Sequence, residues 1–194
     1  MDKRTKRLKS HGFTMIGKIG LDFMLNEVRQ APEGIVMIAG TCHGGDVMAI
    51  RKSSPDKHIV VIDSFEGLAD PTETDGAEAP PKGTHGPGGL DQYKDNFKIM
   101  GSRLPDNIYK MWITEENLKE VTEANIGILI LDLDHYAPTL VCLNYFYSRM
   151  LPNGRIIVHD YGFFKTKGVK KACEEFAPNK WKQIAGYGKY IGRI

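Results

Sequence analysis

Two apolar runs in the second half of the chain each end in acid: Asp132 and Asp134 follow the run that closes at Leu131, and His159 with Asp160 follows Val158. Carboxylates brought together from two strand ends suit a hard divalent cation such as Mg²⁺, Mn²⁺ or Ca²⁺, and the neighbouring histidine suits a softer metal or a proton shuttle. A metal-assisted or base-assisted site is therefore expected there. Further up the chain, Gly40-Thr41-Cys42-His43-Gly44-Gly45-Asp46 forms a glycine-rich turn between an apolar run and a helical pattern. Such a turn brings backbone N–H groups and a helix N-terminus to a ligand, which suits an anionic or carboxylate-bearing cofactor touched by Gly40, Thr41, His43 and Gly44. The glycines do not follow GxGxxG, which argues against NAD or FAD. Asp63 ends the next apolar run and is placed to accept hydrogen bonds from both hydroxyls of a ribose, with Ser64 beside it. Trp112 either stacks on an adenine ring or fills the core.

The elements that must hold these residues follow from periodicity. Ile35 to Ala39, His58 to Ile62, Ile128 to Leu131 and Arg155 to Val158 are continuous aliphatic runs of strand length, as strands buried on both faces of a parallel sheet require. A third strand is expected at Asn107 to Ile113. Helices are expected over Gly20 to Gln30, with Leu21, Leu25 and Val28 inward and Met24 beside them, from the glycine turn to about Lys52, and over Leu90 to Met100, Glu115 to Glu123, Pro138 to Met150 and Gly168 to Phe176. Leu151-Pro152-Asn153-Gly154 reads as a turn. Trp181 to Tyr187 and Lys189 to Ile194 read as an antiparallel hairpin around Gly186-Tyr187-Gly188. The sum is an α/β chain with a seven-stranded mixed sheet ending in that hairpin, with Asp132 and Asp160 on its ligand-binding edge. Glu66 to Gly89 breaks all periodicity, as a lid over that edge would.

The chain has 194 residues and no apolar run near the roughly 20 a membrane span needs, so one domain without a membrane segment is expected. Three cysteines without CxxC spacing argue against disulfides or structural zinc and fit a reducing, cytoplasmic setting. The net charge of +2 conceals a basic start, Lys3, Arg4, Lys6, Arg7 and Lys9, read as a flexible tail over 1–13. A basic arm without a reading element is not expected to bind nucleic acid. A homo-oligomer is compatible with the sequence.

Thr14-Met15-Ile16-Gly17, Gly44-Gly45, Asp63-Ser64-Phe65-Glu66-Gly67-Leu68, Trp112, Asp132-Leu133-Asp134-His135-Tyr136 and Leu151-Pro152-Asn153-Gly154 leading to Asp160-Tyr161-Gly162 together resemble the macrocin O-methyltransferase family. The resemblance covers most of the chain. It implies a Rossmann-like class I methyltransferase fold over 14–194 with S-adenosylmethionine as cofactor, bound by Gly40, Thr41, His43, Gly44, Asp63, Ser64 and Trp112. It further implies a small hydroxylated acceptor such as a natural-product sugar, and a divalent metal, Mg²⁺ or Mn²⁺, on Asp132 and Asp160. The chain departs from the family pattern at Ala39, where an acid precedes the glycine turn, and at His159, which replaces the first Asp of an Asp-Asp-Tyr triplet. His159 is then either a third metal ligand or a base. Asp132, Asp134 and His159 are the catalytic candidates, with Asp134 or His159 taking the acceptor's proton. Metal-independent transfer with His159 as base, and a cofactor-binding protein without catalysis, are the alternatives.

Overall fold

The computed structural model describes residues 12–191; the basic stretch from Lys3 to Lys9 lies outside them. Ile35–Ala39 (β1), Ile59–Asp63 (β2), Asn107–Lys110 (β3), Ile126–Leu131 (β4) and Met150–His159 (β5) pair parallel, while Lys182–Ile184 (β6) and Tyr187–Ile191 (β7) form the antiparallel hairpin. They make one seven-stranded sheet in the order β3-β2-β1-β4-β5-β7-β6, with β7 antiparallel to β5. The central runs are continuous because alternate residues feed two cores: Val36, Ile38, Val61, Ile128 and Ile130 go to one, Met37, Ala39, Val60, Leu129 and Leu131 to the other. Lys18–Gln30 (α1), Gly45–Ser53 (α2) and Leu90–Met100 (α3) cover the first face, through residues such as Met24, Met48 and Phe97. Glu115–Leu118 (α4), Tyr136–Tyr147 (α5) and Lys167–Phe176 (α6) cover the second, through Leu118, Leu143, Phe146 and Val169.

Several boundaries differ from the sequence reading for local reasons. Helix α5 starts at Tyr136 because Pro138 sits in the first turn, where its missing N–H costs nothing. Strand β5 starts at Met150 rather than Arg155: Asn153 takes a left-handed φ of 58° inside the strand, beside a register shift between Ile126 and Ile128. Strand β3 stops at Lys110 and helix α4 at Leu118. The hairpin turns at Ala185-Gly186, with φ of 52° and 87°, the paired left-handed geometry of a tight hairpin. Gly188 is instead a strand residue, where a Cβ would come 2.6 Å from the Tyr161 ring. On α1 the buried face is Gly20, Leu21, Met24, Glu27 and Val28, so Glu27 goes inward and Leu25 stays half-buried.

Strand β1 lies between β2 and β4, and the sheet order reverses there, which opens a cleft at the carboxyl ends. Ala39 O accepts Asp132 N–H at 2.9 Å across the top of that cleft. A Cβ on Gly40 would lie 2.0 Å from Asp132 O, so the two strand ends touch where only glycine fits.

Candidate active site

The cleft contains a cavity of about 660 Å³ reached by the glycine turn, the ends of β2, β4 and β5, and the 66–89 segment. Asp63 ties the first two walls together: its Oδ2 accepts Thr41 N–H at 2.8 Å and its Oδ1 accepts Phe65 N–H at 2.7 Å. Burial raises its carboxyl above the ordinary value even so. Ser64 shapes the following turn, donating to Gly67 O at 3.0 Å and accepting Glu66 N–H at 3.0 Å. Gly40, Thr41, His43, Asp63, Ser64 and Trp112 all line the cavity. Gly44 does not: its φ is 84° and a Cβ would meet Phe97 at 2.5 Å, so it serves helix packing. Trp112 belongs to neither core cluster and stands half-buried in the cavity wall, beyond the end of β3. Gly12 and Phe13, read as part of the tail, also line the cavity, and Phe13 O accepts Gly45 N–H at 3.1 Å.

The acidic clusters meet as the strand pairing requires. Asp132, His159 and Asp160 each offer one donor atom, and the three atoms lie within 4.8 Å of one another. His159 Nδ1 is 3.0 Å from Asp132 Oδ1 and 3.2 Å from Asp160 Oδ1. Its ring meets the edge-on ring of Tyr187, the residue paired with it across β5 and β7, at 4.6 Å, which fixes the imidazole plane. Burial opposes charge on this imidazole, yet Asp132 and Asp160 outweigh it and push its pKa up to about 11. Asp160 is correspondingly held below the ordinary carboxylate value by His159 against the opposing effect of burial. Asp134 and Asp160 both have left-handed backbone, φ 59° and 58°, an arrangement short acidic side chains tolerate. Asp134 is buried beside them, and burial, Asp132 and a hydrogen bond to Asp160 push its carboxyl up to about 8.

The 66–89 segment is better ordered than its composition suggests. Leu68 N–H donates to Thr84 O and Gly83 N–H to Leu68 O, both at 2.9 Å. The Glu73–Asp75 3-10 turn has a capping box between Thr72 and Asp75, and the buried Asp75 Oδ1 accepts Tyr136 N–H at 2.6 Å, capping α5. His135 Nε2 is 2.9 Å from Pro80 O. Leu68, Asp70, Lys82, Thr84 and His85 of this segment face the cavity. His85 escaped the sequence reading although it lies within Glu66 to Gly89; its φ is 64°. Asp46 escaped it too, and its carboxylate is buried in the cavity wall behind Gly44-Gly45.

Solved methyltransferases share this architecture. The O-methyltransferase NovP superposes with a TM-score of 0.74 at 19% identity, over 94% of this chain and 83% of NovP. The calicheamicin methyltransferase CalS11 gives 0.72 at 17% identity, over 97% of this chain and 91% of CalS11. At such identities the likeness speaks for the fold. No curated protein matches the sequence. The family model for macrocin O-methyltransferase (TylF) matches residues 2–185. With the class I sheet and the Asp-rich cleft already in place, that match decides the family: the chain belongs to the macrocin O-methyltransferases, enzymes that transfer a methyl group from S-adenosylmethionine to oxygen.

Proposed function

We propose that this protein methylates a hydroxyl of a small acceptor, a sugar attached to or destined for a natural product, at the junction of Asp132, Asp134, His159 and Asp160. The observation that carries this reading is the meeting of the two acidic strand ends beside the glycine turn in one cavity. In this reading the cofactor lies along Gly40 to His43, its ribose takes the remaining lone pairs of Asp63, and Trp112 offers a face to the adenine. The exposed Met15 and Phe163 at the cavity wall suit an acceptor with an apolar face. CalS11, also described as a TDP-rhamnose 3'-O-methyltransferase, makes a deoxysugar the first acceptor class to try.

The donor set of Asp132, His159 and Asp160 fits a divalent cation: two carboxylate oxygens and one imidazole nitrogen, converging, with the imidazole favouring Mn²⁺ over Mg²⁺ relative to a site of three acids. A cation held there would lower the pKa of the acceptor hydroxyl. The chain's own residues do the rest. The glycine turn and Asp63 hold the donor in line with the acceptor, a positioning effect of at most about 7 to 11 kcal/mol. Asp134, buried beside Asp132 and Asp160, takes the hydroxyl proton in its ionised form, which a cation on those two acids would favour. His159 is a poorer base, because Asp132 and Asp160 keep it protonated until a cation displaces that proton.

One observation favours a second reading: His159 Nδ1 stands within reach of both Asp132 and Asp160, which together favour a charged imidazole between them. Metal-independent transfer would then use His159⁺ to stabilise the developing alkoxide. Methyl transfer to a panel of nucleotide deoxysugars and glycosides, by chelator-treated protein with and without Mn²⁺ or Mg²⁺, separates the readings. Turnover restored by cation supports the first, cation-independent turnover the second, and cofactor binding without any turnover across a broad panel would contradict both.

A further inference from the structure

The floor of the cavity beneath the glycine turn holds a carboxylate that no cationic side chain neutralises among the described residues. Asp46, in the first turn of α2, is 7% exposed, and that exposure faces the cavity. Its Oδ1 accepts Thr41 Oγ1–H and Val47 N–H, each at 2.7 Å, while among the described residues Oδ2 accepts no hydrogen bond and no Lys, Arg or His pairs with the group. The nearest charge acting on it is that of another acid, Asp132. A second buried polar group stands near the same acids: the Tyr187 hydroxyl has no hydrogen-bond partner among the described residues and lies in the field of Asp132, Asp46 and Asp160. A buried carboxylate without a counter-charge is costly, and the cost is relieved by a cationic ligand group that enters the cavity. Structural polarity does not require an acid here, since the Oδ1 contacts to Thr41 and Val47 are ones that an amide oxygen makes equally well.

We infer that the Asp46 carboxylate anchors the α-ammonium group of the cofactor's methionyl end. The inference rests on the cofactor placement proposed above. The methionyl end is the part of the cofactor that carries an ammonium; in that placement its carboxylate suits the N-terminus of α2 and its ammonium suits Asp46 in the same first turn. Asp46 is thus a cofactor-binding residue that works through charge, unlike Gly40 and Asp63, which work through shape and hydrogen bonding. The cavity would in this way select ligands with a free amino-acid end.

Calorimetric titration with two ligands tests this. S-adenosylhomocysteine carries the α-ammonium, and 5'-methylthioadenosine has the same nucleoside and sulfur without it. Asp46→Asn keeps the acceptor for Thr41 and Val47 and removes the charge. The expected result is a loss of roughly ten- to a hundredfold in affinity for S-adenosylhomocysteine, with 5'-methylthioadenosine bound within about twofold of wild type. An equal loss for both ligands, or no loss for either, overturns the assignment. If wild-type protein binds 5'-methylthioadenosine and S-adenosylhomocysteine equally well, the cofactor placement stands and the ammonium anchor falls. If wild-type protein binds neither, the placement itself fails, and the anchor with it.

Discussion

In the proposed reading His159 is the residue on which the chemistry turns, because its ring nitrogen stands between two carboxylates that favour its charged form and would otherwise repel each other. Replacing it by an acid, His159→Asp, puts three carboxylates within a few ångströms, so the cation-free protein should melt at lower temperature than wild type and regain stability on adding Mg²⁺. Thermal melts with and without Mg²⁺ check this, and a variant indifferent to the cation would remove the site from metal chemistry. Asp46 supplies a separate test through pH. Its carboxyl is raised from 3.8 to about 7 in the folded chain, chiefly by burial, so the folded state holds that proton more tightly than the unfolded state. The stability this contributes is complete below about pH 4 and is lost as pH rises through 7, a matter of a few kcal/mol at about 1.4 kcal/mol per pH unit. Asp46→Asn lacks the dependence, so in denaturant melts of the two ligand-free proteins the variant should gain on wild type steadily from pH 4 to 7. A constant difference would mean that Asp46 is not buried as a free carboxyl. The acid clusters were legible in the sequence because each ends an aliphatic run; Asp46 was not, since an acid after Gly-Gly in a helix's first turn is also what the helix dipole favours.

At the scale of elements, two contacts fix segments whose local sequence says little. The buried Glu27 joins α1 to the sheet, with Oε2 at 2.6 Å from Arg155 Nη1 and Oε1 at 2.8 Å from Lys189 Nζ. Removing the acid leaves both cations largely buried and unpaired, so Glu27→Ala should cost about 3 to 5 kcal/mol in denaturant melts; a change below about 1 kcal/mol would show that α1 is held by its apolar face alone. The 66–89 segment hangs on Asp75 in a similar way. Asp75→Ala uncaps α5 at Tyr136 and opens the capping box with Thr72, so protease should cleave within the segment sooner than in wild type, with the rest of the domain intact. If this segment is a lid, S-adenosylhomocysteine and acceptor together should slow that cleavage in wild type, and equal rates would make it fixed scaffolding. The sequence could not show this order: Asp75 and Tyr136 are 61 residues apart, and a stretch of Gly, Pro, Thr and acid looks structureless until a distant helix N-terminus gives it a partner.

At the scale of the molecule, the architecture was the most legible feature, because parallel strands buried on both faces leave long aliphatic runs, and the terminal hairpin leaves a glycine-marked turn. What the runs could not convey was how the strand ends meet. Gly40 abutting Asp132 O, Gly44 against Phe97 and Gly188 against Tyr161 are close approaches between parts of the chain far apart in sequence, so Gly44, read as a cofactor contact, has a packing reason to be glycine that the sequence did not show. The same closeness makes the cleft sensitive: Gly40→Ala should force β1 and β4 apart at the site and abolish cofactor binding. In the proposed function one cavity brings the methyl donor to the two acidic strand ends. A crystal structure of the protein with S-adenosylhomocysteine and Mn²⁺, read by anomalous scattering, tests that claim most directly. The predicted result is the nucleoside against Asp63 and Trp112, the sulfur directed towards Asp134, and a manganese peak on Asp132, His159 and Asp160. S-adenosylhomocysteine bound elsewhere, or bound here with its sulfur turned away from those acids, would contradict it.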